Sequence, residues 1–124
     1  MPRVVCLPSR AGTIRPGPED RHICVVDAIR KKPYRDPATG VYNWRPPYPP
    51  SLPRERPVRP SPQGSFDDLK PGTRAFSAAA AYASVRCVLE VWEHYFGRRI
   101  SLVGHSRQRK LEIVPRVTAL GDNA

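Results

Sequence analysis

The sequence has no run of about 18 apolar residues, which excludes a membrane-spanning helix of ordinary length. Its N-terminus lacks the apolar stretch of a secretory signal peptide, and Pro2, Pro8, Pro16 and Pro18 would break the amphipathic helix of a transit peptide. Cysteine is scarce: Cys6, Cys24 and Cys87 form no CxxC pair, which argues against a disulfide framework and against a zinc knuckle. Histidine is equally scarce. His22, His94 and His105 never fall one helical turn apart, so the two imidazoles and the intervening glutamate of a self-contained zinc-hydrolase site are missing. Taken together, these absences place the chain in a reducing, cytoplasmic compartment with no metal site of its own.

What the chain has in excess is proline and positive charge. Fourteen of its 16 prolines fall within residues 1–62. The formal charge is +10. Residues 1–62 carry 12 Lys/Arg against 5 Asp/Glu, and residues 63–124 carry 9 against 6. At 124 residues the chain is at most one ordinary domain, and a core confined to its second half is small.

Residues 1–22 read as a flexible basic leader. Ile23-Cys24-Val25-Val26-Asp27-Ala28-Ile29 is a β-prone run, and Asp36-Pro37-Ala38-Thr39-Gly40 has the composition of a reversing turn. The spacing therefore predicts a β-hairpin over 23–45, with limbs at 23–35 and 41–45. Residues 46–72 follow as a proline-rich linker or surface-hugging arm, since such a stretch can neither be a helix nor join a central strand.

Thr73 is placed to cap a helix, Ala78–Ala81 are strong helix formers, and Gly97 stands where a helix needs a left-handed closing residue. Ala81, Val85, Val88, Leu89, Trp92 and Phe96 recur at helical spacing and predict one broad apolar face, with Trp92, Tyr95 and Phe96 as core residues. Cys87 reads as a small buried apolar residue on the same helix. Leu111–Val114 alternates as a strand that Pro115 ends. The expected fold is α+β: a short hairpin, a Pro-rich arm, one long amphipathic helix and a C-terminal strand, making an incomplete domain.

Beyond zinc, the residues bear on two further chemistries. Ile100-Ser101-Leu102-Val103-Gly104-His105-Ser106 looks like the approach to a nucleophile elbow, but Gln108 stands where the turn demands glycine and no histidine follows His105. Basic clusters at Arg30, Lys31, Lys32 and Arg35, with Tyr34 among them, and at Arg107, Arg109 and Lys110 supply non-specific attraction for nucleic acid or an acidic partner. No recognised nucleic-acid-binding signature accompanies them.

Residues 75–124 also carry a sequence of parts in order: Ala78-Ala79-Ala80-Ala81-Tyr82, Val91-Trp92-Glu93-His94-Tyr95-Phe96-Gly97-Arg98, Leu111 to Val117, and Asn123-Ala124. In this the segment resembles the part of thermolysin-like (gluzincin) zinc metallopeptidases that precedes their catalytic helix. The resemblance implies that the Asn123 amide and the Ala124 carbonyl hold the backbone of a peptide substrate. The family's HExxH helix and distant glutamate ligand have no counterpart here. The implied reading is a non-catalytic N-terminal piece, inactive alone, with zinc expected only in a complete relative and a catalytic domain or peptide as partner. The alternative is a small basic interaction protein that binds nucleic acid or an acidic partner.

Overall fold

The structure is a computed structural model, and it describes residues 12–29, 36, 38–41, 54–100 and 110–116. Its elements are β1 (Ile23–Val25), α1 (Arg74–Phe96) and β2 (Leu111–Ile113). One helix and two short strands make the α+β content that the sequence predicts.

α1 begins and ends on the residues expected of it. Thr73 is extended, with φ −83° and ψ 159°, and its hydroxyl accepts from the Phe76 backbone N–H at 3.2 Å. This satisfies one of the donors that the first helical turn leaves open. Gly97 takes the left-handed conformation, φ 62°, and its N–H reaches back to the His94 carbonyl. Arg98 closes the motif by donating to the Glu93 carbonyl at 3.2 Å.

β1 lies parallel to β2, with Ile23, Cys24 and Val25 opposite Leu111, Glu112 and Ile113. Parallel strands need a long crossover, and here the crossover includes α1. The ladder is extended by Leu111 N–H to the His22 carbonyl at 2.7 Å and Val26 N–H to the Ile113 carbonyl at 2.8 Å. All three β1 residues are buried, and the period of two sorts their side chains. Ile23 and Val25 pack with Ala78 and Tyr82 of α1, flanked by Ile14, Val58, Val85, Leu89 and Ile113. Cys24, Val26 and Ala28 form a second small cluster with Val114.

On either side of β1 the chain pairs with the arm. Ala28 bridges Arg54, Val58 bridges Gly17, and Glu55 N–H donates to the Asp27 carbonyl at 2.9 Å. The reversing turn predicted at 36–40 is present: the Asp36 carboxylate accepts from the Ala38 and Thr39 N–H groups, and Gly40 N–H donates to the Asp36 carbonyl. β1 itself pairs in parallel with β2 and, through Cys24, bridges Glu19 in antiparallel fashion. Residues 30–35 and 42–45, which hold most of the two facing limbs of the expected hairpin, lie outside the described residues. A parallel partner so distant in the chain leaves no mark on the local pattern, whereas a turn does.

The packing face of α1 also differs from the expectation. Ala78 and Tyr82 are buried and Val85 and Leu89 half-buried, whereas Val88, Trp92 and Phe96 are exposed. Cys87 is half-buried rather than buried. Length explains the difference. A 23-residue helix runs about 34 Å, and three-residue strands run about 10 Å. The sheet covers the first turns of α1, and among the described residues nothing covers the last ones.

Candidate interaction surface

Three groups of side chains invite a chemical reading. The first surrounds Asp20. One carboxylate oxygen accepts from the His22 and Ile23 N–H groups at 2.6 and 2.8 Å, and the other from the Tyr82 hydroxyl at 2.7 Å. Burial pushes this carboxyl up, but the Tyr82 hydroxyl, the two N–H groups and the Arg86 charge outweigh it and hold its pKa below the usual value. Burial raises Tyr82, and its bond to the Asp20 carboxylate raises it further. Lys110 donates to the Asp20 carbonyl at 2.9 Å and pairs with Glu19. These contacts tie α1 and the start of β2 to the chain before β1, a structural role for the group.

The second group lines a cleft of about 710 Å³ between the arm and β1, which contains Cys24, Asp27, Arg54, Glu55 and Arg74. Arg74 reaches from the first turn of α1 to Asp27 at 2.7 Å and to Glu55. Burial, with Glu112 and Glu19 nearby, pushes the Cys24 thiol up to about 11. A thiol so rarely ionised at neutral pH is a packing residue rather than a nucleophile. Among the described residues no three His, Cys, Asp or Glu side chains converge to hold a metal ion.

The third group is the uncovered end of α1. Val88, Val91, Trp92, Tyr95 and Phe96 are exposed by 56, 68, 48, 78 and 53 %. The three rings hold one another: Trp92 and Phe96 stack with centroids 5.6 Å apart and planes 17° apart, and Tyr95 meets each edge-on at 6.1 and 5.3 Å. Positions 88, 91, 92, 95 and 96 share one side of the helix, next to the packed side. Arg98 and Arg99, both exposed, follow at its C-terminal edge. Glu93 turns away from this side, since its carboxylate takes Arg86 at 2.7 Å and the Ile100 N–H at 3.3 Å. Contiguous apolar surface of this kind on a small chain marks an interaction site more often than isolated exposed residues do.

The residues singled out from the sequence are scattered with respect to this surface. His94 is exposed on α1 and His22 lies just before β1. Asn123, Ala124, Arg30, Lys31, Lys32, Arg35, His105 and Ser106 lie outside the described residues. Trp92, Tyr95 and Phe96, expected in the core, form the surface instead. The signal that could have exposed them is the mismatch between a helix of more than six turns and the short strands available to cover it. No protein-family model matches the chain, and no curated protein or solved structure matches it either.

Proposed function

We propose that this chain is a non-catalytic interaction protein that docks a partner on the uncovered end of α1. The observation that carries the reading is the continuous exposed stripe of Val88, Val91, Trp92, Tyr95 and Phe96. Trp, Tyr and Arg are the residue types that dominate binding energy at protein interfaces, and this surface holds all three. The free thiols Cys24 and Cys87 suit a reducing cytoplasmic setting. Burying one such aromatic side chain contributes about 1.5–3 kcal/mol, so a partner that covers two or three of them binds usefully.

The test is a photo-crosslinking amino acid placed at Tyr95 in the full chain, expressed in cells. A discrete adduct is expected, and it is expected to disappear when Val88→Ser and Phe96→Ser are added while the far-ultraviolet circular dichroism is unchanged. No adduct, or one indifferent to those two substitutions, would sink the reading.

A second reading keeps the likeness to thermolysin-like peptidases and is supported by the order helix, Phe96-Gly97-Arg98 end, then β2. The occupant of the stripe is then a catalytic domain of the same longer protein, with Asn123 and Ala124 toward its peptide substrate. The described residues offer no set of zinc ligands, so no step through a metal is assigned to this chain. Reading the coding sequence past Ala124 decides it: an HExxH motif within several dozen codons supports this version, and its absence removes it.

A further inference from the structure

Resting on the docking reading, we infer that the partner seated on the end of α1 is an amphipathic helix with acidic residues beside its apolar stripe. The shape of the surface sets the first half of this statement. Apolar residues at 88, 91, 92, 95 and 96 follow the i, i+3, i+4, i+7, i+8 spacing that lines one side of a helix. A convex apolar stripe about 12 Å long is matched by the side of a second helix, where ridges of one fill grooves of the other.

Charge sets the second half. The stripe ends on exposed Arg98 and Arg99. Of the acids on α1, Glu93 is engaged by Arg86 and the Ile100 N–H, and Glu90 lies on the far side of the helix. A chain of net charge +10 therefore presents an apolar stripe with a basic border and, among the described residues, no acid along it. Carboxylates on the partner complete that border and speed the encounter.

The same facts disfavour two other occupants. A second copy brings the same stripe, which among the described residues has no carboxylate to meet Arg98 and Arg99 of the first. A single-stranded nucleic acid needs open ring faces for its bases. Here Trp92 and Phe96 spend facing sides on each other, and Val88 and Val91 offer no ring at all.

The experiment uses the full chain with Trp44→Phe, which leaves Trp92 as its single tryptophan. It is titrated with two synthetic 18-residue helical peptides that share one leucine stripe, flanked by glutamate in one and by lysine in the other. The glutamate peptide is expected to shift Trp92 emission to the blue and to bind about tenfold more tightly at low salt, with the gap closing as salt rises. Arg98→Glu with Arg99→Glu is expected to reverse the preference. Equal affinity for both peptides overturns the acidic partner and leaves the docking reading standing. No response to either overturns the helix as occupant whatever the crosslink shows, and a missing crosslink alone counts against the docking reading. Tighter binding of oligo(dT), or a concentration-dependent dimer abolished by Trp92→Ser, overturns the inference in favour of nucleic acid or a second copy.

Discussion

Tyr82 is 1 % exposed, and its hydroxyl is the hinge of the small core, because it lets an aromatic ring be buried while its polar end satisfies Asp20. Tyr82→Phe keeps the ring and removes the donor. It is expected to cost about 1.5–3 kcal/mol in urea denaturation, the range for a hydrogen bond to a charged group. The pH dependence follows from the directions of the shifts. Asp20 titrates lower in the folded chain, so its contribution is full above its ordinary value of 3.8 and is lost as the pH falls through the folded value. Tyr82 and Cys24 titrate higher when folded. Their contributions are full below 10.0 and 9.0 respectively and fade above those values, that of Cys24 by about pH 11. Urea midpoints measured from pH 2 to 11 are expected to hold a plateau between about 4 and 9 and fall on both sides, with the fall above pH 10 reduced in Tyr82→Phe. None of this could be read from the sequence, where Asp20 and Tyr82 stand 62 positions apart and each looks like an ordinary loop or helix residue.

At the scale of elements, α1 is the part most fully legible in the sequence. Thr73 and Gly97 mark its ends through local chemistry that needs no tertiary partner, and the alanine run fills the span with strong helix formers. Thr73→Ala is expected to cost about 1 kcal/mol through the lost cap. Gly97→Ala is expected to cost about 1 kcal/mol because its φ of 62° disfavours a Cβ, although that Cβ would meet no atom within 4 Å. Both are read from thermal or urea unfolding followed by helix ellipticity. Which side of α1 is buried was less legible. Periodicity reports that a side is apolar, but Ala78 and Tyr82 lie under β1 while Trp92 and Phe96 lie beyond it, and only the extent of the sheet separates the two pairs. β2 was legible for a similar local reason: Leu111 and Ile113 alternate with Glu112, and Pro115 stops the ladder.

For the whole molecule, three distant stretches are held together by few contacts, and Arg74 is prominent among them. Its pairing with Asp27 and Glu55 joins the start of α1, the chain after β1 and the proline-rich arm. Arg74→Ala is expected to loosen the arm. Limited trypsin digestion checks this at the Arg54–Glu55 bond, since Arg56 and Arg59 precede proline and resist the enzyme. Cleavage there is expected to quicken several-fold in the variant while α1 keeps its ellipticity, because local opening need not unfold the rest. A rate equal to that of the unaltered chain would show that the bridges at Arg54 and Val58 hold the arm without Arg74.

The parallel join between β1 and β2 has a consequence for how the molecule comes into being. Lys110 and Glu19, paired at its edge, stand 91 positions apart, and β1 has its local antiparallel bridge to Glu19 long before its parallel partner Leu111–Ile113 has been synthesised. During translation α1 can coil as soon as its own residues emerge. Its first turns then meet Ile23 and Val25, which are already made, while the edge of β1 that β2 takes waits for Leu111–Ile113. Closing so long a loop is slow compared with coiling a helix. The nascent chain therefore passes through an interval in which the edge of β1 that β2 takes is still unpaired, and another strand can add to it there.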